Sequence, residues 1–160
     1  MMVPLLLLGL LSCEQPDPLI PVAAAYTRDV RPLLVENEAI EQQFQTLAGE
    51  MASEAVRPQQ LASALSDEIL PASMALLSRT DALDPQAPPL DGLHDDLRQA
   101  WHRRHDAWAG MLDAWKNKDV DAFASALKDR DAAEKLEETT IINLDAALRP
   151  YGYRLRRYPD

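Results

Sequence analysis

The sequence predicts an all-α fold, an antiparallel four-helix bundle. Three observations carry that expectation. Glycine is scarce at 5 of 160 residues and aromatic residues make up only 6%, while Ala, Leu, Glu, Asp and Arg dominate, a composition that leans towards helix. Apolar residues recur at three- and four-residue intervals through most of the chain. Several of the 12 prolines stand where such runs begin or end, as helix boundaries require.

The first helix is expected over residues 22–56, from the apolar spacing of Tyr26, Val30, Leu33, Ile40, Phe44, Leu47 and Met51. Pro32 lies inside it. Either the helix kinks there, or it begins there with Asp29 as its cap. Arg57-Pro58 is a boundary, because a residue before proline avoids helical dihedrals. The second helix, 58–79, carries Leu61, Leu65, Ile69, Leu70, Leu76 and Leu77 on a broad face, with a kink expected at Pro71. Residues 80–89 read as a loop. The third helix, 91–116, opens at Asp91 as cap, with Asp95 and Asp96 favourably placed near a positive helix start. Asn117-Lys118-Asp119 is a tight turn, with Asn117 expected in the left-handed position and Asp119 capping the fourth helix, 120–149. Four helices with mostly short connections favour up-down topology.

The last two helices show a seven-residue rhythm. His94, Trp101, Trp108 and Trp115 share one position; Leu90, Leu97, Arg104 and Met111 share the next; Ala100, Ala107 and Ala114 flank them. The fourth helix answers with Val120, Leu127, Glu134, Ile141 and Leu148 beside Phe123, Arg130, Glu137 and Leu144, and with an alanine stripe at 126, 133 and 147. Heptads on both partners imply a left-handed supercoil. The tryptophans read as packing residues because each buries a large apolar area; an exposed aromatic ridge is the alternative.

Charged residues interrupt this rhythm midway. Arg104 sits at a core position, as do Arg130, Glu134 and Glu137, and Asn37 and Glu41 break the stripe of the first helix. A hairpin turning near residue 118 places Arg104 near Glu134 and Asp131, and His105 near Asp131. Buried charges must be paired, since desolvation costs several kcal/mol for each ion. A polar layer of Arg104, Glu134, Arg130, Asp131 and His105, centred on Arg104–Glu134, is therefore expected. It serves either helix register or a ligand site in the bundle centre.

Net charge is −10. Residues 149–160 run against it, with four arginines facing one aspartate, so the rest is more acidic still. Such a body argues against nucleic-acid binding. The Tyr/Arg tail, 150–160, reads as a strand-like segment folded over an acidic bundle end, with docking to an acidic partner as the alternative. No nucleophile elbow, phosphate-cradling glycine loop or His-Glu-x-x-His occurs. His102 and His105, spaced i, i+3 beside Asp106, lack an evident third ligand, and no Glu-x-x-His is present for a di-metal bundle. No metal, no cofactor and no catalytic residue is expected.

Residues 3–12, Val-Pro-Leu-Leu-Leu-Leu-Gly-Leu-Leu-Ser, form an uncharged apolar run too short to span a bilayer, which takes about 20 residues. It has the length of a secretory signal core. No Lys or Arg precedes it, a departure from the usual positive start. Leu10-Leu11-Ser12-Cys13, followed by Glu14, resembles the lipobox of bacterial lipoproteins. The resemblance covers about the first fourteen residues. It implies removal of the signal 1–12, cleavage between Ser12 and Cys13, and a lipid on Cys13 that holds the chain to a membrane of the cell envelope. Glu14, where Asp would favour the inner membrane, leans towards the outer one. Residues 13–21 would then be the lipidated Cys and a Pro-rich tether, and 22–149 the bundle. Cys13 is the sole cysteine, so no internal disulfide is expected. In general pattern the chain is similar to small helical lipoproteins of high-GC bacteria, a likeness that transfers no active residue. The expectation is a non-enzymatic lipoprotein acting by contact with a protein partner. The alternatives are a small-molecule or metal-binding bundle and an immunity or inhibitor lipoprotein against an envelope toxin or hydrolase.

Overall fold

A computed structural model of the protein describes residues 17–53 and 57–155. The expected signal 1–12, with Ser12, then Cys13, Glu14 and the rest of the expected tether up to residue 16, and the end of the Tyr/Arg tail lie outside the described residues. Those described are all-helical and contain no strand. They form four rods: α1 (Leu19–Ala52); a second rod made of α2 (Pro58–Ala64), a π-helical turn (Leu65–Ile69) and α3 (Leu70–Asp81); α4 (Pro88–Asn117); and α5 (Val120–Leu148).

The first rod starts earlier than its apolar spacing suggests. Asp17 accepts the Leu19 amide through Oδ1 at 2.9 Å, so Leu19–Pro21 belong to helix rather than to a tether. Pro21 falls in the first turn, where a missing N–H leaves no bond unmade. The alternative start at Asp29 is excluded, because α1 runs through Pro32. Pro32 leaves the Arg28 carbonyl without its helical donor, and both residues are exposed, so water can serve that carbonyl.

Pro71 has a different consequence. It cannot donate to the Asp67 carbonyl, and its ring crowds that group. The turn before it widens into the π-helical segment, in which the Leu70 amide reaches back five residues to the Leu65 carbonyl. The irregularity thus falls one turn before the proline, and Leu65 and Ile69 remain fully buried.

The third rod begins at Pro88 rather than Asp91. Asp91 sits in the first turn and reaches back, its Oδ1 accepting the Ala87 amide at 3.0 Å. At the turn into α5, Lys118 rather than Asn117 takes the left-handed conformation, with φ 57°. The Asp119 amide then bonds the Ala114 carbonyl at 2.9 Å. Asp119 caps α5 as expected, accepting the Ala122 amide at 2.9 Å.

Packing of α4 on α5 is close because small residues face each other: a Cβ on Gly110 would stand 3.5 Å from that of Ala126, and Ala100, Ala107, Ala114 and Ala133 are buried. Trp101 and Trp108 are fully buried, each worth about 3–5 kcal/mol against truncation to Ala, whereas Trp115 is 38% exposed. Trp115, in the last turn of α4, stands at the edge of the core, where it borders a groove lined by Met51, Leu61, Leu65 and Phe123.

The α5 row at 120, 127, 134, 141 and 148 changes face along the helix. Val120 is 80% and Leu127 38% exposed, while Ile141 and Leu148 are buried. A straight α-helix drifts about 20° per heptad against a strict seven-residue repeat, so one row cannot stay inward over 29 residues. The rows that face the core at mid-helix are 126/133/140 and 130/137/144.

After α5 the chain makes a 3₁₀ turn at Arg149–Tyr151 and reverses at Gly152, φ 84°. Its described continuation is coil rather than strand. The Leu155 amide bonds Asp145 Oδ1 at 2.9 Å, and the Leu155 side chain is buried. Arg31 Nε donates to the Arg154 carbonyl at 3.1 Å, fastening this segment to α1.

Candidate functional site

The polar layer exists, and its membership differs from the sequence expectation. Arg104, 2% exposed, projects from α4 towards α1 and α5. Its Nη1 donates to the Glu137 carboxylate and its Nη2 to Asn37 Oδ1. Asn37 Nδ2 closes the triangle by donating to Glu137 Oε1 at 2.7 Å. The Arg104 guanidinium also stands over the Trp108 ring, 5.4 Å from its centroid, a favourable cation–π placement.

Arg130 builds the other half. Its Nη2 donates to Glu41 Oε1, and its Nη1 lies 3.0 Å from Asp131 Oδ1 and 3.3 Å from Glu134 Oε2. Its guanidinium is 5.1 Å from the Phe44 ring centroid. Glu41 thus stands between two arginines, with Arg104 Nε 3.7 Å from its Oε2. Charges alternate through the layer as Arg130, Glu41, Arg104, Glu137, so each buried ion faces an opposite one. That is the condition under which burying them is tolerable.

Of the expected members, Arg104 and Arg130 are central. Glu134 pairs with Arg130, not Arg104, and its side chain is 45% exposed. Asp131 is a surface partner of Arg130, with its side chain 52% exposed. His105 does not join the layer: its Nδ1 lies 3.2 Å from Ser73 Oγ on α3, on another side of α4. The centre is Arg104–Glu137, because residue 137 belongs to an inward row of α5 and 134 to the drifting one. Asn37 and Glu41 were visible as interruptions of the α1 stripe; their exact partners were not.

The layer is open on one side. Long polar side chains keep α1 and α5 apart, leaving a groove of about 1010 Å³ whose floor includes Arg104, Asn37 and Glu41 and whose rims carry Glu38, Glu134 and Glu138. Within the layer, Glu41 Oε2 and Arg130 Nε are buried without a hydrogen-bond partner among the described residues.

A second buried polar site lies near the start of α4. His94 Nε2 is 3.1 Å from the Thr80 carbonyl and Nδ1 is 3.2 Å from the Tyr26 hydroxyl. A carbonyl can only accept, so Nε2 carries the proton, and a neutral ring then accepts the Tyr26 hydroxyl at Nδ1. Burial holds the imidazole below its ordinary value of 6.5 and pushes the Tyr26 phenol well above its own. The arrangement joins α1, α3 and α4 and is complete without a ligand.

His102 and His105 do not converge. His102 Nε2 faces Asp81 at 3.1 Å, beside Arg98. Among the described residues no group of three His, Cys, Asp or Glu side chains is placed to hold a metal ion, and no helix is long and apolar enough to cross a membrane. No protein-family model, curated protein or solved structure matches the chain.

Proposed function

We propose that this chain is a lipid-anchored, non-enzymatic helical bundle of a bacterial cell envelope, acting by contact with a protein partner. The observation that carries the reading is Leu10-Leu11-Ser12-Cys13 at the end of a short apolar run. Two acyl chains or more on one residue suffice for stable anchoring, where a single chain binds reversibly. With Cys13 lipidated and residues 1–12 removed, α1 would begin only a few residues from the membrane. Cleavage between Ser12 and Cys13, with Glu14 next, favours the outer membrane. The four rods would run up and down in antiparallel order: the bond of Arg31 to Arg154 brings the start of α1 to the end of α5, and the Lys118 turn reverses the chain between α4 and α5. A 34-residue α1 is about 50 Å long, so a bundle standing upright on its anchor would reach about that far from the headgroups.

The experiment is metabolic labelling with radioactive palmitate in a bacterial host. Label on the wild-type chain and none on Cys13→Ser is the expected result. An unlabelled wild-type chain, or equal label on both, removes the anchor and with it the envelope reading. Crosslinking from labelled membranes then identifies the partner.

A further inference from the structure

We propose that the apolar groove beside the α4–α5 turn binds a long-chain fatty acid, with its hydrocarbon against Leu65, Trp115 and Phe123 and its carboxylate at Lys116 and Lys118; this goes beyond the anchor and the protein partner and depends on neither. The groove lies where the end of α1, the start of the second rod, the last turn of α4 and the first turn of α5 meet, and it measures about 860 Å³. Leu61 and Leu65, both buried, form its floor, and the partly buried Met51 and Phe123 its walls. Trp115 and Val120 line it as well and are exposed. In a chain of net charge −10 this sets large apolar side chains next to one another in contact with water, whereas singly scattered ones need no explanation. A mostly apolar site of this size with few polar groups has the character of a small-molecule pocket, for which about 300–1,000 Å³ is usual.

Charge selects the occupant. The chain has four lysines, and two of them, Lys116 and Lys118, line this groove. Both are exposed, and neither forms a salt bridge with a carboxylate among the described residues. Lys118 takes the left-handed conformation, which glycine or asparagine adopts more readily, so the turn alone does not account for a lysine there. The one carboxylate in the described lining, Asp119, is committed to the Ala122 amide at the start of α5. An apolar chain ending in a single anion matches both features. Its hydrocarbon leaves water against the leucines and Phe123, and its carboxylate gains charge-assisted bonds from ammonium groups. Other occupants match less well. A second copy would bring the same lysine pair to both sides of the contact, because a twofold interface joins one patch to its equivalent. A membrane surface carrying anionic lipid repels so acidic a body. A partner's helix is held in a groove by anchors over two turns or more, whereas along the α4–α5 hairpin this groove takes in about one turn on each side, 114–116 and 119–123.

The test is photolabelling of the full chain, purified in a maltoside detergent with an uncharged headgroup, by a diazirine analogue of palmitic acid. Mass spectrometry after digestion locates the label. We expect it on residues 58–65 and 114–123, and at least about threefold less of it with the methyl ester of the same probe, which keeps the chain and lacks the charge. Lys116→Gln with Lys118→Gly should lower labelling by a similar factor; residue 116 is exposed and glycine suits the left-handed turn, so the fold is kept. Val120→Glu, at an 80% exposed position, adds an anion to the groove and should lower labelling too. Lys128→Gln with Lys135→Gln removes the other two lysines, exposed and outside the groove, and should change labelling by less than about twofold, since distant surface charges are screened. Equal labelling by acid and ester would overturn the proposal, leaving an apolar patch that reads no headgroup. Equal loss in the two lysine pairs would reduce the effect to net charge and overturn it as well. So would label spread evenly along the chain, or crosslinks from membranes joining a protein partner to Trp115 or Val120, which would give the groove to that partner. Metabolic palmitate on Cys13 is a separate readout, so either result stands if the other fails.

Discussion

Glu137 shows how much can hang on one side chain. It accepts from both Arg104 and Asn37 in a buried layer. Replacing it by Leu leaves the Arg104 guanidinium without its closest counter-ion, and breaking a buried pair this way costs about 3–5 kcal/mol. Glu134→Gln removes a half-exposed partner of Arg130, a change worth about 1 kcal/mol or less. Urea denaturation of the two variants should show this order; equal losses would mean that the layer is not centred on Glu137. His94 makes the second prediction. Its folded value lies below 6.5 through burial, and that of His105 is lowered in the same direction and by the same cause. The unfolded chain therefore takes up protons near pH 6.5, before the folded one does. Stability is full above that pH and falls as pH drops through it, levelling only below the folded values. The urea midpoint should fall from pH 8 to pH 5, and His94→Gln should flatten the slope while keeping a donor for the Thr80 carbonyl. An unchanged slope in that variant would assign the effect elsewhere.

Helix by helix, small residues decide how closely the rods approach. Gly110 lies in the middle of α4, where glycine costs about 1 kcal/mol relative to alanine. An added Cβ would meet only the Ala126 Cβ, at an ordinary 3.5 Å. Gly110→Ala is therefore expected to stabilise the protein by up to about 1 kcal/mol in thermal or urea unfolding; destabilisation would mean that the α4–α5 interface is tighter than this spacing. Boundaries were the least legible part of each rod. Prolines at 21, 32 and 88 all looked like punctuation, and only Pro88 begins a helix. Pro21 sits within the first turn, and Pro32 is tolerated on an exposed face. The π-helical turn before Pro71 had no signal of its own, since widening one turn is a response of the backbone to the missing N–H rather than a residue preference.

Across the molecule, the four rods and most of the apolar core were readable because helical periodicity is local: residues three and four apart share a face whatever packs against it. Arg104 and Arg130 were readable for the same reason, as charges standing where the rhythm calls for apolar groups. Which carboxylate each would meet was not. The chain by itself determined an all-helical domain, a charged layer across its middle and the lipobox-like Leu10–Cys13. Only the tertiary structure decided that Glu137 and Glu41 complete that layer, that His105 turns to Ser73 instead, and that α1 and α5 stand apart over an acidic groove. The reason is geometric. A 3.6-residue helix rotates steadily against a seven-residue pattern, so the facing side of α5 at any level depends on where its neighbours lie, and their placement is a property of the packed whole.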